Sequence, residues 1–415
     1  MPATNCAMIA KAPLSGIRIL DFGQVLAAPF ATMVLADQGA EVIKVEPLSG
    51  EPTRGYLPPD VGGESPYFLA VNRNKRGVAL DLKTEAGRDA VIALAKQADV
   101  VIENFKTGVM DRLGIGYASL KVCNPRIIYC SISGYGRQGP FANRSGYDPI
   151  AQAESGLMAI SGEPGGVPTR CGVSIVDSMT GLFAAQAITS ALYARGSNAE
   201  GQLIEVSLFG TALNMMVNFA GQSLLVGDDP RRFGSGSQVV QPSGLYATKD
   251  GEVMITVGSE GMYRRFCEMV LNRSDLAIDP RFVTNVERVK NKIEMDTLLM
   301  PIFGAMKNSE AITRMRAASI PCGEVLGVRD ALSSPMADAL NLVGRAPHTK
   351  LGELKTLLPG YGFSKTKICD PIGAPLLGEH TRIVLKEVAG YDDGQIDKMI
   401  ANGVAVEPKE TDGDL

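Results

Sequence analysis

Between residues 17 and 105 the chain runs twice through one pattern, and that pattern limits its fold more than any other feature. "IRILDF" (17–22) reads as a strand, "APFATMVLADQG" (28–39) as a helix closed by glycine, and "EVIKVE" (41–46) as a second strand. "GVALDL" (77–82), a helix from Glu85 to Ala98 and "VVIENF" (100–105) repeat it, and "RIIYCSISGYG" (126–136) adds a further strand. Strands joined through a helix must run parallel, so residues 1–200 are expected to form a doubly wound α/β domain. Ligands of such a domain bind beyond the carboxyl ends of the strands, where Asn104 and Phe105 fall.

A chain of 415 residues has room for a second domain. The texture changes near Gly227, where "GDDPRRFGSGSQVVQPSG" (227–244) is polar and glycine-rich. "LYATKDGEVMITVGS" (245–259) follows as a hairpin turning at Lys249-Asp250-Gly251, and then helical segments lead to "SIPCGEV" (319–325). The expected division is a large domain over 1–200, a linker over 201–225, a small α+β domain over 226–325, and a segment over 326–415 that returns to the large domain.

Composition narrows the classes of function. A net charge of −4 argues against a general nucleic-acid binder. Seven scattered cysteines without a CxxC spacing fit reduced thiols rather than a disulfide framework or a zinc site. The N-terminal "MPATNCAMIAKAPLSG" lacks the parts of a signal peptide, and no uninterrupted apolar run is long enough for a membrane span. A cytoplasmic protein that binds neither membrane nor nucleic acid is the expectation. Neither GxGxxG nor GxxxxGK[ST] occurs after the first strand, so dinucleotide and P-loop sites have no support.

The chain holds only two histidines, His348 and His380, and no GxSxG, HExxH or Cys-His motif. No metal site is expected. Carboxylates are then the natural catalysts, since a carboxylate can itself be a covalent nucleophile. One stands out in "RCGVSIVDSMTGLFAAQAI" (170–188). Val173, Ile175 and Val176 read as a short buried strand, and the residues from Leu182 to Leu192 read as a helix, with Asp177 at the junction. A carboxylate there is ordinarily a helix N-cap; a reactive group is the alternative. Likewise, Arg73, Lys75 and Arg76 in "VNRNKRG" (71–77), with Lys106 and Arg112, read either as solvated basic residues or as a phosphate clamp.

These segments stand in a fixed order. "PLSGIRILDFGQVLAAPFATMVLADQGAEVIKVE", "NRNKRGVALDL", "ENFKTGVMDRLGIGY", "SGYGRQGPFANRSGYD", "GVSIVDSMTGLFAAQAI", "GQLIEVSL", "IPCGEV" and "APLLGEHT" together resemble the class III CoA-transferases, the CaiB/BaiF family, from about Pro13 to Gly390. The resemblance implies a Rossmann-like large domain with a small α+β domain, and an interlocked homodimer in which each subunit threads the other, a rare exception to unknotted chains. It implies an acyl-CoA and a small carboxylic acid as partners, with CoA thioesters as substrates and no permanently bound cofactor. Asp177 matches the family's nucleophile, which forms a mixed anhydride and then an aspartyl-CoA thioester. Val25, Asn104, Phe105 and Arg112 match CoA-contacting positions, while Lys75 and Arg76 fall in the family's "NKR" segment, where their charge suits phosphate. Tyr147 and Asp148 match a Tyr-Glu pair near the thioester in the formyl-CoA:oxalate branch.

Departures from that branch point to a different acid. "SQVV" (237–240) replaces a four-glycine loop, Leu26 replaces a glutamine, and Asp148 is one methylene shorter than the glutamate. A larger acid than oxalate or formate is expected, with succinyl-CoA as a candidate donor and Arg54, Arg137 and Arg170 as candidate acid-binding groups. Two alternatives carry the same fold: an acyl-CoA racemase or isomerase, and a non-catalytic CoA-binding protein. The racemases use the histidine of a "GHD" triplet, and here the triplet is "GYD", with Tyr147 a poor base at an unperturbed pKa of about 10.

Overall fold

The computed structural model describes residues 11–408, so Cys6 lies outside the described residues. The chain divides into two compact units, each treated on its own below. Unit 1 comprises residues up to Ser155, Gly172–Val217, and Pro335 onward; unit 2 comprises Gly156–Cys171 and Asn218–Ser334.

Unit 1 is built on a seven-stranded sheet. Its strands are β1 (Arg18–Asp21), β2 (Glu41–Glu46), β3 (Lys75–Leu80), β4 (Val100–Glu103), β5 (Ile128–Ser133), β6 (Leu203–Ser207) and a C-terminal strand, Ala405–Val406. In space the order is the C-terminal strand, then β3-β2-β1-β4-β5-β6. All neighbours are parallel except the C-terminal strand, which is antiparallel to β3. The winding reverses between β1 and β4, paired at Ile19↔Val100 and Asp21↔Ile102. A crevice beyond the carboxyl ends of those two strands is where such a sheet binds its ligand.

Alternation along each strand fills both faces. Leu20, Ile43, Val101 and Tyr129 meet Ala90, Val91 and Leu94 of the Glu85–Ala95 helix on one face. On the other face Ile19, Val42, Ile102 and Cys130 meet helix α1 (Ala27–Asp37) and helix α2 (Ile175–Asn198). These two helices lie so close that a Cβ on Gly181 would sit 2.6 Å from the Ala27 carbonyl oxygen. Only glycine permits that approach, and it brings Asp177, one turn earlier on α2, alongside the start of α1. By length and composition alone Ile175–Asn198 could also cross a membrane. Here Val176, Ala184, Ala185, Ile188 and Ala191 are buried in unit 1.

Unit 2 carries an antiparallel sheet of Ser243–Ala247, Glu252–Thr256 and Cys322–Glu324. The first two form the expected hairpin, closed by Thr248 N–H donating to the Gly251 carbonyl at 2.8 Å. Helices including Lys292–Gly304 and Asn308–Ala317 cover it around Tyr246, Val253, Phe266, Leu299 and Phe303.

Three expectations require correction. Residues 173–176 are not a strand: Val173 is exposed, and Ile175 and Val176 begin helix α2. The run has no sheet neighbour, and β6 already fills the edge beside β5. Residues 201–225 are not a linker, because they hold β6 and the Leu208–Met215 helix of unit 1 and most of the Val217–Val226 helix. The strand expected from Gly77 begins two residues earlier, so Lys75 and Arg76 belong to β3. From Pro335 onward the chain belongs to unit 1, where Thr381 Oγ1 accepts from Ala79 N–H at 3.1 Å and His380 Nδ1 accepts from Gly77 N–H at 3.1 Å.

Candidate functional site

The loop leaving β1 is held by its neighbours rather than by its own sequence. Gln24 N–H donates to Asn104 Oδ1 at 2.8 Å, and Asn104 Nδ2 donates back to the Gln24 carbonyl at 2.8 Å. Val25 N–H donates to Glu51 Oε2 at 2.9 Å, and Glu51 is buried. These bonds maintain Val25 at φ +64°, a left-handed conformation that a β-branched residue rarely adopts. The loop leaving β4 is braced from behind. Buried Glu103 accepts from Phe105 N–H at 2.8 Å, and Arg137 binds both Glu103 Oε1 and the Phe105 carbonyl at 2.8 Å. A third loop, 134–146, is pinched shut at its base: a Cβ on Gly134 would come within 2.6 Å of the Gly146 Cα.

These loops enclose a cleft of about 300 Å³, with Gln24, Val25, Asn104, Phe105, Tyr147 and Asp177 in its wall. It opens beyond the ends of β1, β4 and β5, at the reversal of strand order.

Asp177 is the third residue of α2. Its backbone N–H donates to Asp148 Oδ2 at 3.1 Å, and Val176 N–H donates to the same oxygen at 2.7 Å. Among the described residues no hydrogen-bond donor or ion-pair partner reaches the Asp177 carboxylate. Burial first, and the Asp148 charge second, push its pKa up to about 7. Asp177 is therefore not an N-cap: that position is Ser174, whose side chain makes no capping bond, and the cap comes from Asp148, outside the helix. A carboxylate without a partner, facing a cleft and half-ionised at neutral pH, is equipped for chemistry rather than for structure.

The structure thus brings together Val25, Asn104, Phe105, Tyr147, Asp148 and Asp177. Arg112 is exposed on the short Val109–Arg112 helix, whose first residue, Val109, lines the cleft. Lys75 and Arg76 belong elsewhere, and this corrects their reading as phosphate-binding residues. The Lys75 side chain is fully buried, with its ammonium on Asp21 Oδ2, Asn72 Oδ1 and the Pro29 carbonyl at 2.8–2.9 Å. Arg76 pairs with Glu41, the first residue of β2, and with Glu387, so it sits toward the amino ends of the strands, opposite the cleft. Two candidate acid-binding arginines hold carboxylates of the fold: Arg54 is bidentate to Glu46 at 2.7 Å, and Arg137, which lines the cleft, pairs with Glu103. Arg170 is exposed in unit 2.

Sequence reasoning missed Glu51, Glu103, Gln152 and Tyr67. Gln152 lies one turn after Asp148 and donates to its Oδ1 at 2.6 Å, a spacing that was available as a signal. Tyr67, pushed up to about 12 by burial and then by Asp177, stays protonated beside the nucleophile candidate. Glu51 has no local signal, because its partner lies 26 residues away. His348 and His380 accept backbone N–H bonds and take no part in the cleft. Among the described residues no group of three or more His, Cys, Asp or Glu could hold a metal ion.

Comparison with known proteins gives a consistent result. The profile of CoA-transferase family III matches residues 14–381. A succinyl-CoA:glutarate CoA-transferase of Mus musculus is 39% identical over 99% of this chain and 93% of its own. A succinate–glutarate CoA-transferase of Agrobacterium fabrum is 37% identical over 91% of this chain and 96% of its own. The crystal structure of a CaiB/BaiF family protein from Brucella suis superposes with a TM-score of 0.82 at 35% identity, covering 91% of this chain and all of that one.

Proposed function

The chain belongs to CoA-transferase family III and is a CoA-transferase, and we propose that the Asp177 carboxylate carries out the transfer. The observation behind this reading is a carboxylate with no partner among the described residues, at the wall of a cleft on the switch point of the sheet. In the first step a carboxylate oxygen of Asp177 attacks the carbonyl carbon of an acyl-CoA. The C–S bond breaks, CoA leaves as thiolate, and a mixed anhydride remains on Asp177. The thiolate then attacks the Asp177 carbonyl, forming an aspartyl-CoA thioester and releasing the donor acid as its carboxylate. An acceptor carboxylate attacks that thioester, and the returning thiolate takes the acceptor's acyl carbon, restoring Asp177. Every nucleophile is an anion when it attacks, so the cycle needs no histidine.

The donor in this reading is succinyl-CoA and the acceptor a short dicarboxylic acid. The two relatives above carry succinyl-CoA or succinate, and glutarate, in their names, and "SQVV" stands in place of the glycine loop of the oxalate branch. The test is intact-mass analysis after mixing with succinyl-CoA, then hydroxylamine trapping and peptide mapping. Modification of the Asp177 peptide is expected. CoA exchange without any adduct on that peptide, or solvent deuterium entering α to the thioester in the absence of acceptor, would overturn the mechanism.

The reading extends to an interlocked homodimer. Large apolar side chains lie bare on both units, with Tyr193 86% exposed in unit 1 and Leu224 and Leu225 85% and 87% exposed in unit 2. A monomer in light scattering at about micromolar concentration would refute it.

A further inference from the structure

Asp148 stands directly behind the reactive carboxylate. It is 2% exposed and begins the Asp148–Glu154 helix. Its Oδ1 is held by Gln152 Nε2 at 2.6 Å, which turns Oδ2 onto the backbone N–H groups of Val176 and Asp177 at 2.7 and 3.1 Å. Those groups are the second and third of the Ile175–Asn198 helix and have no intrahelical acceptor. The nearby Ser174 side chain leaves them unmet. A side chain 29 residues away in sequence therefore caps the helix through the nucleophile's own peptide.

Left open, a helix N-terminus stabilises an anion in its first turn and makes it a weaker base. Here that positive end is answered by a buried carboxylate before Asp177 can use it. The other titratable groups on the surrounding elements do not replace this effect. Tyr67 is neutral, Tyr147 is largely exposed, Glu154 is paired with Arg144, and Asp37 of α1 is paired with Arg73. Cys130 of β5 is buried with its pKa raised, Glu205 lies on β6, and the Leu208–Met215 helix has no titratable residue.

We propose that Asp148 is a positioning residue which fixes the Asp177 backbone and cancels the helix N-terminus, so that the Asp177 carboxylate remains basic enough to attack a thioester. This rests on Asp177 being the nucleophile. The raised pKa of Asp177, with Asp148 as its second cause, agrees with the geometry.

The test replaces Asp148 by its neutral isostere, Asp148→Asn, whose amide oxygen can still accept the two N–H groups. Carbodiimide labelling of Asp177, followed by mass spectrometry against pH, reads the protonated acid without turnover. The labelling midpoint is expected to fall by about 1 pH unit or more, and kcat to fall about tenfold or more, with KM for acyl-CoA changed by less than about threefold. Asp148→Glu restores the charge and should return the midpoint toward wild type. An unchanged midpoint in Asp148→Asn overturns the proposal, as does a midpoint lowered equally in Asp148→Glu. If Asp148→Asn does not fold, the neutral Asp148→Ser is titrated instead, and an unchanged midpoint there overturns the proposal. Continued transfer by Asp177→Asn would instead remove the nucleophile reading, an outcome seen separately from the labelling titration.

Discussion

Asp21 and Asp177 are both carboxylates of unit 1 set close to α1, and the fold treats them in opposite ways. Asp21 is fully buried, and burial alone would raise its pKa. Lys75, Lys44 and Thr32 outweigh that cost, and the carboxyl is held below its ordinary value. Gly23 N–H at 2.7 Å, Thr32 Oγ1 at 2.7 Å and Lys75 Nζ at 2.9 Å occupy its oxygens. Asp177 is less buried, yet burial and Asp148 raise it to about 7, because no cation offsets them. The lesson is that burial by itself does not decide how the two carboxylates ionise. What distinguishes them is whether the fold supplies partners for the charge.

Exchanging the two groups for amides should separate their roles most sharply. Asp177→Asn is expected to reduce CoA transfer by about 10³-fold or more, roughly 4 kcal/mol of barrier, while the protein folds normally. Asp21→Asn leaves the Lys75 ammonium buried without its counter-ion, and a loss of about 3–5 kcal/mol in stability is expected. Urea denaturation with a transfer assay checks both; equal loss of activity with equal loss of stability in the two variants would erase the distinction.

The pH dependence carries the same contrast with opposite signs. The pKa of Asp177 is raised on folding, so its ionisation destabilises the protein; the cost begins above the ordinary carboxyl pKa and is complete above about 7. Asp177→Asn should therefore be more stable than wild type at pH 8, by about 2–4 kcal/mol at most, and no more stable near pH 4. The pKa of Asp21 is lowered on folding, so its contribution is present above the ordinary carboxyl pKa and is lost as pH falls below it. In turnover, log kcat/KM of the wild type should rise with pH up to about 7 and then level. A flat profile between pH 5 and 8 would mean that Asp177 does not titrate there.

A smaller effect probes the support of the cleft. Glu51→Ala removes the acceptor that holds Val25 N–H, and Val25 at φ +64° has strain to release. KM for acyl-CoA is expected to rise about fivefold, consistent with strain of order 1–3 kcal/mol. Glycine adopts that φ freely, so Val25→Gly should restore most of the loss in the double variant. No rescue would place the role of Glu51 elsewhere than in Val25.

Much of this was legible in the chain itself. The βαβ alternation committed residues 17–136 to a parallel sheet, and the strand ends at Asn104 and Phe105 located one wall of the cleft, because period and turn chemistry are local properties. Asp177 was visible as a residue at a helix start, though with a strand before it that does not form. Charge was the least legible property. Lys75 and Arg76 are adjacent basic residues in one segment, yet one is sealed in the core on Asp21 and the other bridges Glu41 and Glu387. Nothing in "NKR" distinguishes those fates, since the partners of Lys75 and Arg76 lie 54 and 311 residues away at the extremes.

The sequence by itself determined the order of the strands along the chain, the scarcity of histidine, and the presence of a carboxylate at the start of a helix. Only the tertiary structure decided which carboxylate would be left without a partner. Hydrophobic period is written residue by residue, whereas a pKa depends on every charge and dipole within a few ångströms, and those come from segments that only folding brings together.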